Sequence, residues 1–566
     1  MATQKQEKQI RALLRGAYGI EQLRDGQRRV IDSVLAGRDT LAVMPTGSGK
    51  SLCYQVPAAL RDGLTVVVSP LISLMQDQLD RLEEVGVDSA AQINSSLTRG
   101  EQQAALDGLG EASKDLIFCT PERLVTPEFL DVLRQSSIAL VVIDEAHCIS
   151  QWGHDFRPAY LEIGAALQAL GRPPLLALTA TATAQVIDDI AQQLAAPRIN
   201  VINTGIFRPN LHYRVRQVTN GGEKNAVALQ LVRQTSGVGI VYAATVKAVE
   251  ELYALLQQEG ESVTRYHGKL PAAERRDNQA LFMSGERRVM VATSAFGMGI
   301  DKSDTRFVIH VQVPANLETY YQESGRAGRD GLPAQCTLVY FQDDKRVQQF
   351  FLMKHYPGAA DLKAVYAAAL AVARKQPGFG AADLKPALEQ MPDQQLAIAL
   401  KMLKDGKLLK RNRRLAYLLA GAPPKSIQFE QMAQVYVDKQ LRDRAALEQM
   451  VAYAQSGYCR WRLLFDYFGD TPPGFDNCGM CDNCLAPPAE RLQLNELAEA
   501  GDPAAALGQG GSDASEPDGV ALTVGSQVRV PKFDIGTVLS VAGDRITIEF
   551  PENSTKTFMA EFVEPV

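Results

Sequence analysis

The chain contains no uninterrupted apolar run near the roughly 20 residues that a bilayer-spanning helix needs, which excludes membrane-spanning helices and a membrane partner. Its opening stretch, MATQKQEKQIRALL, lacks the apolar segment and cleavage pattern of a secretory leader, so an intracellular, cytoplasmic protein is expected. Excess basic charge is absent too. Lys and Arg number 59 against 65 Asp and Glu, a net charge of −6, which rules out a chain coated in positive charge but leaves room for local basic grooves. Cysteine is scarce for the length: eight in an intracellular chain of 566 residues do not make a disulfide framework. Four of the eight nevertheless crowd between residues 459 and 484, which calls for a metal.

What is present is an ordinary globular composition, 46% hydrophobic and 22% charged, enough to fill several cores. At about 150 residues per domain the length suggests about four domains. From about residue 30 to 200, short apolar runs (DTLAVMPT, LTVVVSP, DLIFCT, ALVVID, LLALTA) alternate with amphipathic stretches, the pattern of βα units on a parallel sheet. A second such series (GVGIVYA, SVTRYHG, RRVMVATS, TRFVIHV, CTLVYF) follows, joined to the first through FRPN at 207–210, where proline favours an extended connector. The division expected is a first α/β lobe over 1–205 and a second over 206–355. A winged-helix-like helical domain then covers 356–425, a cysteine-bearing helical subdomain 426–488, a flexible linker 489–520 and a small β-barrel 521–566. Between Lys401 and Arg414 seven basic residues face only Asp405, and Lys410, Arg411 and Arg413 on this wing could sit on phosphates. A solvated hairpin is the plainer alternative.

The strand LAVMPT runs into Gly47-Ser48-Gly49-Lys50-Ser51. Glycines there let backbone N–H groups close on phosphate, Lys50 adds a point charge and the Ser51 hydroxyl can hold magnesium. Thr46 belongs to the same loop, and a turn of no consequence is the alternative. At the end of the strand VVID, Asp144 can bind magnesium and Glu145 can polarise an attacking water, unless the two merely cap the next helix. In QESGRAGRDG, Arg326 and Arg329 would share one helical face and point into the cleft between lobes, with Gln322 beside them; surface ion pairs are the other fate open to such arginines. Cys459, Cys478, Cys481 and Cys484 stand as Cx18CxxCxxC, four soft ligands suited to tetrahedral zinc, with an iron–sulfur cluster less favoured because the cysteine–proline of ferredoxins is missing.

In order, MPTGSGKS, SPLISLMQDQ, TPERL, DEAHCISQWGHDFRP, ALTATA, VATSAFGMGIDK and QESGRAGRDG resemble the RecQ family of superfamily 2 DNA helicases over about residues 10–345 and again at 429–485. The resemblance implies two RecA-like lobes using ATP, magnesium and zinc, and motion 3′ to 5′ on DNA. It implies that Arg24 and Gln27 contact adenine, with Ile20 where the family usually has an aromatic residue. It implies DNA backbone contacts from Ser69, Pro70, Thr120, Arg123 and Thr293. An aromatic-rich loop carrying Trp152, Phe156 and Arg157 would couple DNA to hydrolysis, since aromatic faces and guanidinium planes stack on unpaired bases. Single-stranded and forked DNA are the implied partners, and a nucleoid location follows if the source is bacterial. VPKFDIGTVLSV followed by ITIEF is similar to the Tudor-like barrel ending UvrD and PcrA helicases, which implies a protein partner, RNA polymerase being the candidate. Two other readings stay open: a DNA-stimulated translocase that remodels protein–DNA complexes without unwinding, and a zinc-containing DNA-binding scaffold. RNA as the track is a further alternative.

Overall fold

The computed structural model describes residues 4–70, 72–87, 89–94, 100, 115–150, 157–297, 300, 302–352, 357–376, 378–412, 416–420 and 426–487, and, further on, 526–530, 534–542, 545–550, 554–559 and 564–565. Two compact units, Met1–Leu492 and Gln493–Val566, are taken separately. The linker expected at 489–520 lies outside the described residues, as do Trp152, Phe156 and Arg413.

The first lobe is a seven-stranded sheet made of β1 (Thr40–Val43), β2 (Leu64–Val68), β3 (Ala90–Ile93), β4 (Leu116–Cys119), β5 (Ile138–Ile143), β6 (Leu175–Thr179) and β7 (Asn200–Asn203). They lie in the order β3-β4-β2-β5-β6-β1-β7 with every pairing parallel. Strands such as LTVVV and LLALT are apolar at consecutive positions because both faces are covered; Val66, Val68 and Leu175 pack in one core, Val67 and Leu176 in the other. The second lobe repeats the plan with β8 (Leu211–Gln217), β9 (Val238–Tyr242), β10 (Val263–Tyr266), β11 (Val289–Ala292), β12 (Thr305–His310) and β13 (Ala334–Tyr340), ordered β10-β11-β9-β12-β13-β8 and again parallel throughout. Parallel pairing sends all strand carboxyl ends of a lobe to one edge, where the chemistry-bearing loops gather.

The cysteine-bearing subdomain shares the core of the second lobe. Trp461, Leu464, Phe465 and Phe468, on the helix Arg460–Phe468, pack with Leu211, Tyr213 and Tyr321. Trp461 Nε1 donates to the Leu211 carbonyl at 3.2 Å. The edge strand β8 is capped: Val215 N–H donates to Asp482 at 2.9 Å, and Asp482 is held by a forked pair of bonds from Arg460 at 2.9 and 3.0 Å.

Between the second lobe and the long helix Ser426–Gln455 sits a helical insert: Ala359–Ala373, Ala381–Leu384, Asp393–Asp405 and the antiparallel hairpin of β14 (Leu409–Arg411) and β15 (Tyr417–Leu419). Arg411, expected on a phosphate-facing wing, carries its guanidinium instead to Glu162 of the first lobe at 2.7 Å, with the Tyr417 ring 4.3 Å away and its hydroxyl accepting at 2.8 Å. Lys404 approaches Glu162 at 3.8 Å, and Lys401 is buried at 5% exposure. The expectation fails there because a charge run read along the chain carries no record of a carboxylate more than two hundred residues away. Lys410 remains exposed.

The second unit contains an antiparallel sheet of β16 (Gln527–Val530), β17 (Asp534–Ala542), β18 (Arg545–Phe550), β19 (Ser554–Met559) and β20 (Glu564–Pro565), ordered β19-β18-β17-β16-β20. Among the described residues no pairing joins the two outer strands, so the expected barrel is described as a sheet.

Glu162 is 8% exposed and neutralises two cations. Glu162→Gln leaves them without a counter-charge and is expected to cost about 1–3 kcal/mol in chemical denaturation. A change within about 0.5 kcal/mol would show that the insert does not depend on this contact.

Candidate functional site

The phosphate loop leaves β1 at Met44 and enters the helix Leu52–Leu60. Gly47 and Gly49 have φ of +79° and +77°, a region that side chains resist. Gln27, 4% exposed, braces this loop: its Nε2 donates to the carbonyls of Ser48 (2.9 Å) and Gly49 (3.2 Å), while its Oε1 accepts from Arg24 N–H at 2.9 Å. Arg24 Nη1 donates to the Gly47 carbonyl at 3.0 Å. Both residues expected at adenine are thus bonded to the loop itself. Lys50 Nζ donates to the Met44 carbonyl at 3.2 Å; burial lowers its pKa, and the charges of Glu145 and Asp144 oppose that shift. The buried hydroxyls of Thr46 and Ser48 have no hydrogen-bond partner among the described residues, the pattern a phosphate-accepting loop leaves behind.

Asp144 stands at the carboxyl end of β5. Burial first, then the neighbouring charge of Glu145, raises its pKa to about 7 against the pull of Lys50. Glu145 takes left-handed backbone angles (φ 48°, ψ 49°), strained for a residue with a side chain, and this turns its carboxylate back to within 3.3 Å of His147 Nδ1. His147, 1% exposed, also reaches Thr179 Oγ1 at 3.0 Å, and the Tyr160 hydroxyl donates to the Asp144 carbonyl at 3.0 Å. Sequence reasoning assigned no role to His147, Thr179 or Tyr160. DEAH and ALTATA contain the first two, but their meeting is a fact of β5 lying beside β6.

From the second lobe, the segment after the helix Leu317–Ser324 crosses to this loop. A side chain added at Gly47 would come within 3.2 Å of Arg329 Cγ, and one at Gly325 within 3.3 Å of Thr46 Oγ1. Arg326 is 4% exposed, and its Nε has no hydrogen-bond partner among the described residues. Behind it His310 pairs with Glu323 at 2.8 Å and stacks on Tyr242, ring centroids 5.4 Å apart. Arg208, quoted in the sequence only as part of the connector, is buried and donates to the Gly325, Ala327 and Gly328 carbonyls.

The residues expected at DNA form a looser group. A cavity of about 1010 Å³ is lined by Arg157 of the first lobe and by Lys247, Lys269, Thr293, Gln322 and Arg326 of the second. Arg157 Nη1 donates to the Pro70 carbonyl at 3.0 Å. Thr120 caps the short helix Pro121–Leu124 by accepting from Arg123 N–H at 3.3 Å, and the Arg123 guanidinium lies 5.7 Å from the Phe129 ring centre. Ser69, by contrast, is 2% exposed, so its hydroxyl faces protein.

The sulfurs of Cys459, Cys478, Cys481 and Cys484 all lie within 4.8 Å of one another. Zinc with bonds of about 2.3 Å sets tetrahedral sulfurs about 3.8 Å apart; Cys478 and Cys484 are separated by 3.8 Å and Cys481 and Cys484 by 3.4 Å. Backbone N–H groups of Arg460, Cys478, Met480 and Cys481 point at these sulfurs at 3.3–3.4 Å, which favours thiolates. The donor set fits zinc.

Three family descriptions match in the same order as these structures: DEAD/DEAH box helicase over residues 24–190, helicase conserved C-terminal domain over 223–331 and RecQ zinc-binding over 425–485. The ATP-dependent DNA helicase RecQ of Synechocystis is 34% identical over 490 residues, a match covering 83% of this chain and 97% of that protein. The chain belongs to the RecQ family. The Bacillus subtilis RecQ is 39% identical over 84% of the chain, and the match spans 66% of its own length; for the Pasteurella multocida RecQ, 42% identical over 58% of the chain, it spans about half, 51%. Solved structures share the fold: the DUF1998 helicase MrfA bound to DNA (TM-score 0.52, 18% identity, 75% of this chain and 60% of that one) and S. cerevisiae Dbp5 bound to RNA and ADP BeF3 (TM-score 0.50, 21% identity, 60% and 90%). Among the described residues no helix is long and apolar enough to cross a membrane.

Asp144 binds its proton more tightly folded than unfolded, so without nucleotide or magnesium it costs the protein stability as pH rises from about 4 to about 7. Asp144→Asn is expected to raise the Tm of the unliganded protein at pH 8, with the gain shrinking towards pH 5. A gain equal at both pH values would contradict this origin.

Proposed function

We propose that this chain is an ATP-dependent DNA helicase that moves 3′ to 5′ along a single strand and separates a duplex ahead of it. The observation carrying this reading is the approach of the Gly325–Arg329 backbone of one lobe to Thr46 and Gly47 of the other, which sets two guanidinium groups opposite a phosphate loop. Bound with magnesium, ATP would supply the phosphoanhydride bond whose hydrolysis drives the cycle. In this reading Gly47, Gly49 and Lys50 cradle phosphates, with Ser51 and Asp144 as the magnesium residues. Glu145, oriented by His147, takes the proton of the attacking water. Arg326 and Arg329 neutralise the charge that develops, and their loss on cleft opening resets the lobes. Gln322 lines the cavity beside them.

Single-stranded DNA is proposed to run along the outer side of the same cleft over Thr120, Arg123, Arg157 and Thr293. Trp152 and Phe156 would stack on its bases. The insert is proposed to be winged-helix-like. Its Arg411 is engaged by Glu162, which favours as a second reading a DNA-stimulated translocase whose wing does not split strands. The C-terminal sheet is proposed to recruit a protein, RNA polymerase being the partner implied by its likeness to the UvrD and PcrA tail, and the place of action would be the nucleoid. Repair or recombination is the role that the family suggests.

The test is ATP hydrolysis alongside strand displacement on a duplex with a 3′ single-stranded tail. Wild type should do both, Lys50→Ala neither, and Arg326→Ala should lose about 10³-fold or more in kcat. Hydrolysis on DNA without displacement would select the translocase. No hydrolysis under any condition would leave the scaffold.

A further inference from the structure

Arg208 lies in FRPN, between the lobes, at 8% exposure. Its Nη1 donates to the Gly325 carbonyl at 2.6 Å, and its Nη2 to those of Ala327 at 2.8 Å and Gly328 at 2.7 Å. These carbonyls bracket Arg326 and lead into Arg329. A planar guanidinium has its donors in a fixed fork, so all three bonds form only while the loop keeps one curvature. Remove the fork and the Gly325 and Ala327 carbonyls lose a buried donor, a cost the loop can relieve only by moving.

The neighbours of Arg208 are held from the other side by the cysteine-bearing subdomain. The Phe207 ring stands edge-on to Trp461, Phe465 and Phe475, at centroid distances of 5.0, 5.6 and 5.8 Å. Ile206 N–H donates to Asp470 Oδ2 at 2.7 Å, just beyond the helix Arg460–Phe468. The Ile206 carbonyl accepts from the Tyr321 hydroxyl at 2.6 Å, on the helix that precedes the arginine loop. An unbroken set of contacts therefore runs from the helix following Cys459, through residues 206–208, to the loop that faces Thr46 and Gly47.

We propose that Arg208 is the positioning residue of the arginine loop, and that the helices of the zinc subdomain hold Arg208 in place, so that the hinge between the lobes fixes where Arg326 and Arg329 meet the γ-phosphate. This rests on the nucleotide reading of the site and adds to it a route by which the zinc subdomain reaches the chemistry. Arg208 touches no reacting atom and acts through the loop.

The experiment is a double-mutant cycle on the full chain, measuring DNA-stimulated ATP turnover with radiolabelled ATP to reach slow variants. Arg208→Ala is expected to lower kcat about tenfold or more while the KM for ATP stays within about threefold, with full zinc content and unchanged affinity for single-stranded DNA. In the Arg326→Ala background, where the finger is already gone, adding Arg208→Ala should change kcat by no more than about twofold. Losses that multiply, or a KM that rises with kcat unchanged, would overturn the proposal. Should Arg208→Ala fail to fold, Arg208→Lys keeps the charge without the fork and is read by the same cycle, multiplying losses again overturning it. Asp470→Ala should act in the same direction by about threefold and be silent in the Arg326→Ala background; an effect that persists there overturns the part assigned to the zinc subdomain. A wild type that turns over no ATP overturns the nucleotide reading itself, a result distinguishable from losses that multiply.

Discussion

Where the second lobe meets the phosphate loop, two stretches of backbone approach with almost nothing between them. Gly47 and Gly325 permit that approach; any side chain there would press on Arg329 or on the Thr46 hydroxyl. The rest of the nucleotide site is arranged around this meeting. Parallel strands bring Lys50, Asp144 and Thr179 to one edge of the first lobe, and the helix ending at Ser324 delivers two arginines from the second. Burial makes the arrangement electrostatically tense: Asp144 is driven towards its protonated form and Lys50 towards its neutral one, each opposing the shift of the other. Such a site is poised for a ligand that carries both negative charge and a cation.

Much of this was legible in the sequence because it is local. The phosphate loop, the acidic pair after VVID, the CxxCxxC spacing and the alternating apolar runs each express their chemistry within a few residues, and short-range geometry then follows from strand and helix periods. What escaped reading lies far apart along the chain. Arg208 finds its carbonyls about 120 residues away, Trp461 its acceptor 250 residues away, and Arg411 its carboxylate in the opposite lobe. A buried guanidinium in FRPN and a solvated one look the same as letters. The basic run after Lys401 misleads for the converse reason: its charge is visible and its partners are not.

The insert gives this chain a second link between its lobes. It begins after the last strand of the second lobe and returns into the long helix before Cys459, yet its hairpin is fastened to Glu162, five residues past Arg157. Lys401, buried beside the same contact, has its pKa lowered by desolvation, as fits a tightly closed joint. Motion of the lobes therefore strains both the FRPN hinge and this joint, and the aromatic-rich loop lies directly before the segment that the insert grips.

The account turns on the zinc subdomain, the hinge and the arginine loop forming one mechanical unit. The most direct measurement is amide hydrogen exchange on the full chain before and after zinc is removed with a chelator. The account predicts faster exchange at Ile206 and through Gly325–Gly328 together with residues 459–485, while β1 and β5 of the first lobe keep their protection. Exchange that quickens only within 459–485 would contradict it.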